Sequence, residues 1–387
     1  MREHIDCLVV GAGFAGVVMA ERLSNAVGKR CVVIDQREHI AGNAHDFVDD
    51  AGVLVHAYGP HYFRTNSEMV RDYLSRFTTW HPVDYQIKSY ADGQFWSFPI
   101  NLNTYEEMVG RPATEEEFKS YLEKVRVPIA DPANSEEVII SQVGKELYER
   151  FFEGYTLKQW KRHPRELDAS VCGRIPIRTN RDDRYLREEF QALPADGYTK
   201  LFERMLDESP KVEVKLGTSL AEASKRYSWD MLVFTGAIDQ YFDECCGPLP
   251  YRSLKFERES FTAQQLVEEG REKIAGKTGF WQPAMQVNYP GKEVDFTRIV
   301  EIKHATGQVV SGTSISREFP AEVEETYEPY YPVPTPESAE IYRRYKRLAD
   351  AEKSTVFLGR LATYRYYNMD QVVAMALRKF EQLGIGE

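Results

Sequence analysis

The stretch Ile5–Leu23, IDCLVVGAGFAGVVMAERL, decides the fold. Ile5–Val10 is an apolar run of strand length. Gly11, Gly13 and Gly16 follow in the spacing GxGxxG, and a helical pattern runs on through Leu23. A second apolar run, RCVVID, ends on Asp35. Strand, glycine turn, helix, strand and acid in that order is the layout of a dinucleotide-binding βαβ unit. Gly11 permits the tight turn, Gly13 lets backbone approach a pyrophosphate, and Gly16 lets helix pack on strand. The helix opens at Phe14 and Ala15, where free N–H groups favour an anion, and Asp35 can accept from ribose hydroxyls.

Working outward, 387 residues exceed one simple core and predict two or three domains. The formal charge of −11 argues against a nucleic-acid surface, and requires local arginines wherever an anionic ligand binds. Cys7–Ala20 is too short and too glycine-rich to span a bilayer, and no export signal precedes it. Cys7, Cys31, Cys172, Cys245 and Cys246 show no CxxC pair and no metal-ligand spacing, so a cytoplasmic location and no metal are expected.

From about 101 to 164 the pattern becomes helical, with Thr104, Thr114 and Ser135 as N-cap candidates. Strand-like alternation occupies Tyr85–Phe98, with a turn at Asp92-Gly93, and returns at Val294–Lys303. Trp229–Asp239 reads as a buried strand ending in Thr235-Gly236. Thr355–Leu377, TVFLGRLATYRYYNMDQVVAMAL, reads as strand, tyrosine-lined turn and helix. The nucleotide domain is therefore discontinuous: 1–78 with 196–246 and 332–387. A helical domain is expected over 101–182, with a mobile loop near 165–180. An antiparallel sheet domain is expected over 79–100 with 183–195 and 247–331.

The glycine motif alone serves FAD or NAD. A last strand and helix supplied by the far end of the chain suit a long cofactor gripped along its length, which favours FAD. Backbone N–H groups near Met369, Asp370 and Val372 would face the flavin, and Arg360 after Gly359 would reach it. No second GxGxxG is present for a nicotinamide partner.

Several stretches together resemble the bacterial UDP-galactopyranose mutase family: VVGAGFAGVVMAERL, REHIAGNAHD, YGPHYFRTN, FFEGYTLKQW, RIPIRTNRDDRY, YRSLKFE, VNYP, PYYPV and GRLATYRYYNMD. The resemblance implies a glutathione-reductase-like FAD domain with an added helical bundle and antiparallel sheet. It implies interconversion of UDP-galactopyranose and UDP-galactofuranose. In that reaction reduced FAD attacks galactose C1 through N5, UDP leaves, and an iminium forms. The ring then opens and recloses.

Residue roles follow from the same resemblance. Tyr155, with Phe151, Phe152 and Thr156, forms a uridine-stacking patch, and Trp160 lies beside the substrate. Arg174 closes on the diphosphate, with Tyr185, Arg252, Arg298, Tyr331 and Tyr366 completing the diphosphate and sugar site. Asn288 lies on the uridine side. Arg174, Arg298 and His61 are the expected catalytic residues. Gln36, Gly42, Asn43, His61 and Tyr366 join the cofactor set. Ala41 and Asn368 depart from the family's usual glycine and aspartate. An external reductant such as NAD(P)H or a reductase, and a homodimer, are implied as partners.

Taken singly, FFEGYTLKQW reads as core packing, and RIPIRTNRDDR as a solvated basic loop. Two other functions stay open: an amine-oxidase-type flavin oxidoreductase, and a non-catalytic UDP-sugar-binding flavoprotein.

Overall fold

The first apolar run forms the central strand Glu3–Val10 in a computed structural model that describes residues 2–323, 328–333 and 335–384. Both of its neighbours are parallel to it: Cys31–Ile34 on one side and Tyr227–Phe234 on the other. Val212–Lys215 and Thr355–Phe357 complete the edges of this five-stranded sheet. Burial on both faces explains why its inner strands are runs rather than alternations of apolar residues. The helix Phe14–Val27 and the C-terminal helix Met369–Gln382 share one core, where Val17 and Val18 join Val373, Ala376 and Leu377. The two ends of the chain thus build one layer together.

A seven-stranded sheet holds Tyr331–Pro332, Tyr251–Phe261, Thr313–Glu322, Arg298–Val300, Gln286–Asn288, Ile87–Ala91 and Gln94–Phe98, in that spatial order. It is antiparallel except where Gln286–Asn288 runs parallel to Ile87–Ala91, so the expected antiparallel sheet is in fact mixed. The Asp92-Gly93 turn forms with both φ angles positive, 53° and 79°, as a tight hairpin requires. The strand expected over Val294–Lys303 is confined to Arg298–Val300, and Lys303 opens a single helical turn. Trp80–Pro82 and Phe190–Pro194 do not join this sheet as expected. Phe190–Pro194 instead pairs with Phe63–Thr65 on one side and Trp80–Pro82 on the other, in a three-stranded sheet packed on the nucleotide core, where Phe63 stacks on Trp80.

The helical region differs from its sequence reading at two caps. Asn101, not Thr104, caps the helix Leu102–Val109; Thr104 returns the bond through its hydroxyl to the Asn101 N–H. Asn134, not Ser135, caps Ser135–Tyr148, because Ser135 Oγ is buried and donates to the Asp168 carbonyl. Thr114 caps Glu115–Val125 as read. After Tyr148 a π-turn, Glu149–Glu153, precedes the helix Gly154–Trp160. The widened turn shifts the helical register between Phe152 and Tyr155.

Candidate active site

Two sub-sites meet at the C-terminal ends of the parallel strands. The first is a glycine cradle. Gly11 has φ +107°, and a Cβ there would collide with the Thr235 hydroxyl at 2.0 Å. A Cβ on Gly42, φ +54°, would lie 3.0 Å from the Gly13 Cα, so two backbones pass with no side chain between them. Gly359, φ +92°, closes the cradle from the far end of the chain, against Ala15. The helix Phe14–Val27 opens with no side-chain cap and no acid in its first turn, leaving its N–H groups for an anion. Asp35 accepts from the Ala12 N–H at 2.8 Å and the Arg37 N–H at 3.0 Å, which fixes its carboxylate beside the turn. This geometry fits a dinucleotide pyrophosphate. Phe14 contributes backbone only; its ring packs on Tyr198 and Phe202.

Ala41 takes φ +72° at the base of this cradle, in the left-handed region that glycine favours, and is buried. Gln36 is exposed. The Val372 N–H bonds to the Asn368 carbonyl, so it is not free for a flavin as expected. Asp370 is half-buried, and that burial pushes its carboxyl up.

The second sub-site is a cavity of about 560 Å³. Tyr155, Thr156, Trp160, Val171 and Cys172 line it, together with Arg174, Tyr185, Arg252, Arg298, Tyr331 and Tyr366. His61, Asn43, Arg360, Asn368 and Met369 line it as well, and Asn43 and Arg360 directly follow the cradle glycines Gly42 and Gly359 in the chain. The protein carries net negative charge, yet the cavity is lined by Arg64, Arg174, Arg187, Arg252, Arg298 and Arg360 against Glu188, which is engaged by Arg64 at 3.1 Å. The local field is set against the global one.

Phe151, Phe152 and Asn288, expected at the substrate, do not reach the wall. The register of the π-turn buries the two phenylalanines against Phe98 and Trp96. Asn288 is buried and accepts from Gln286 Nε2 at 2.7 Å.

Arg298, Arg252 and Arg360 are each held by a protein partner. Arg298 sits directly across from Glu318 on the neighbouring strand, with Nε 2.7 Å from the carboxylate. Its Nη1 donates to Gln286 Oε1 at 3.2 Å, as does the Tyr62 hydroxyl at 2.7 Å. Burial alone would pull the Arg298 guanidinium down; Glu318 and the surrounding tyrosines outweigh it and hold it up. Glu318 is only 1% exposed, and burial pushes its carboxyl up against the pull of Arg298. Arg252 pairs through Nη1 with Glu322, while its buried Nε and Nη2 have no partner among the described residues. Arg360 donates to the Tyr330 and Tyr367 carbonyls and lies over the rings of Tyr331 and Tyr366.

Tyr366 stacks on Tyr331 at 5.5 Å, with Arg174 5.6 Å above its ring. The ring is half exposed, and the desolvation it does suffer would raise its phenol. Arg174 and Arg360 overcome that and bring it below the ordinary tyrosine value. His61 is the reverse case. Burial, then His56, pushes it down to about 3, so the ring is neutral at pH 7. Gly59 O can only accept, so Nδ1 carries the proton that bonds it at 2.9 Å, and Nε2 is left as an acceptor. His61 cannot act as an imidazolium acid here.

Sequence reasoning missed Glu318, Gln286 and Tyr62. Their relation to Arg298 depends on strand register and on contacts remote in sequence. Tyr327, just before the PYYPV stretch, lies outside the described residues.

Comparison with known proteins decides the family. A profile of UDP-galactopyranose mutase matches residues 150–366, and one of an NAD(P)-binding Rossmann-like domain matches residues 9–77. A probable UDP-galactopyranose mutase of Klebsiella pneumoniae is 35% identical, covering 97% of this chain and 94% of its own length. The chain belongs to the UDP-galactopyranose mutase family. A dTDP-fucopyranose mutase of Escherichia coli is 34% identical over 96% of both chains. A crystal structure of reduced UDP-galactopyranose mutase superposes with a TM-score of 0.72, at 16% identity, over 98% of this chain and 95% of that one, which supports the fold. The protein is a flavin-dependent isomerase of α/β fold, and its cofactor is FAD. Among the described residues no helix is long and apolar enough to cross a membrane.

Proposed function

We propose that the cavity binds UDP-galactose and that the protein interconverts its pyranose and furanose forms. The observation that carries this reading is the convergence of Arg174 and Arg360 on the stacked Tyr331–Tyr366 pair, in one cavity whose lining also holds Arg298, Asn43 and Met369. Reduced FAD, when bound, supplies the nucleophile for the anomeric carbon.

The chain supplies grip and charge. Tyr155, Thr156 and Trp160 hold the uridine. Arg174, Arg252 and Arg298 neutralise the diphosphate as it departs, and Nε and Nη2 of Arg252, without a partner among the described residues, suit phosphate oxygens. Tyr185, Tyr331 and Tyr366 exchange hydrogen bonds with phosphate oxygens and sugar hydroxyls without adding charge of their own. The loop near 165–180 closes with Arg174 and excludes water. Glu188 is tied to Arg64 and position 368 is neutral, so the lining offers no carboxylate pair of the glycosidase kind. That favours a cofactor-borne nucleophile.

The three expected domains, a cytoplasmic location, a homodimer, an external reductant and a product destined for galactofuranose in the cell wall belong to the same proposal.

The dTDP-fucopyranose mutase relative, nearly as similar as the UDP-galactopyranose mutase, favours a second reading with a deoxythymidine-linked 6-deoxy sugar. Turnover by the reduced enzyme of UDP-galactofuranose and dTDP-fucofuranose, compared as kcat/KM, separates them. A higher value for the uridine substrate is expected; the reverse order transfers the assignment.

A further inference from the structure

A charged side chain stands behind the nucleotide wall with no part in lining it. Lys158 lies one turn beyond Tyr155 on the helix Gly154–Trp160. Its ammonium donates to the carbonyls of Tyr289, Gly291 (2.8 Å), Val294 (3.2 Å) and Phe296 (3.0 Å). All four carbonyls belong to the turn joining Gln286–Asn288 to Arg298–Val300. A three-donor ammonium among four acceptors is fully satisfied, and the turn's inward carbonyls gain the cation they need. Burial pulls the ammonium down to about 8 and Glu293 and Asp295 on the turn oppose that, so it is protonated at neutral pH.

A second contact locks the same two elements. A Cβ on Gly154 would lie 2.1 Å from the Pro290 carbonyl, so only glycine lets the turn seat on the helix. The helix presents Tyr155 and Trp160 to the cavity, and the turn ends two residues after Phe296 at Arg298. The pin therefore joins the element that carries Tyr155 and Trp160 to the one that leads into Arg298.

We propose that Lys158 is a positioning residue that sets the spacing between the nucleobase-side helix and Arg298, so that a nucleoside diphosphate engages both at once. The inference rests on the nucleotide-sugar reading above. Binding at two points gains its intramolecular advantage only when their separation matches the ligand. Loosening the pin leaves each contact available and removes the match.

The test measures dissociation constants of UDP, uridine and pyrophosphate for the FAD-loaded protein, in wild type, Lys158→Met and Gly154→Ala. The pin predicts that UDP weakens about tenfold or more in both variants, while uridine and pyrophosphate each change by less than about twofold. Unchanged UDP affinity, or equal weakening of all three ligands, overturns it. Should Lys158→Met not fold, Gly154→Ala, which keeps the lysine and displaces the turn, carries the same comparison. Failure of the wild type to bind UDP overturns the nucleotide-sugar reading itself, an outcome distinct from loss of selectivity in the variants.

Discussion

Arg174 follows a short helix, Ala169–Gly173, and meets the rest of the site through the Tyr366 ring rather than through an ion pair. Removing it should therefore affect chemistry far more than folding. Arg174→Ala is expected to lower kcat about a hundredfold or more, the usual loss for one well-aimed donor, with the unfolding midpoint almost unmoved. Loss of soluble protein would assign the residue a structural role instead. Ala41 presents the opposite case, a backbone cost with no side-chain chemistry. Its φ of +72° strains an alanine, so Ala41→Gly should raise stability by up to about 1 kcal/mol in denaturant unfolding, and a drop would contradict the strain. Both residues stand out in the sequence. Glu318 does not, because nothing in SISREFPAE announces that it faces Arg298 across a strand pair.

At the scale of elements, legibility follows how local the cause is. The N-terminal strand, glycine turn and helix are read correctly because their pattern is written in adjacent residues. The C-terminal strand and helix are legible for the same reason, at Thr355–Phe357 and Met369–Gln382. The helix Pro336–Ala351 goes unread although Thr335 caps it, with Pro at its first turn and Ser338 returning the bond. Its buried side is slight, chiefly Ser338 and Tyr345, so the apolar stripe is weak. The π-turn is the costly miss. FFEGYTLKQW is legible as either core or ligand wall, and the wider turn splits it: Phe151 and Phe152 go into the core and Tyr155 and Trp160 face the cavity. A one-residue shift of helical register cannot be read from spacing alone. The sheet partners of Trp80–Pro82 and Phe190–Pro194 were misread because their pairing joins segments about a hundred residues apart.

Over the whole molecule, net and local charge differ in sign. The chain is acidic overall, and six arginines stand on the cavity lining. Its buried histidines tie stability to pH. Burial pushes His56 and His61 each down to about 3 in the folded protein. An unfolded histidine titrates near 6.5, so between about pH 6.5 and 3 the unfolded chain binds more protons than the folded one. Unfolding free energy should therefore fall as pH drops through that window. His56→Asn, whose side-chain oxygen can still accept from the His61 N–H, should flatten the slope. An unchanged slope would show that carboxylates alone set the acid sensitivity.

The claim on which the account depends is that the arginine- and tyrosine-lined cavity and the glycine cradle work as one site, in which only reduced FAD supports isomerisation. The direct measurement is to incubate the FAD-loaded protein with UDP-galactofuranose, with and without dithionite, and to resolve the two UDP-galactose isomers by chromatography. UDP-galactopyranose accumulating under reduction and not without it is the predicted result. No conversion in either state, or equal conversion in both, would contradict it.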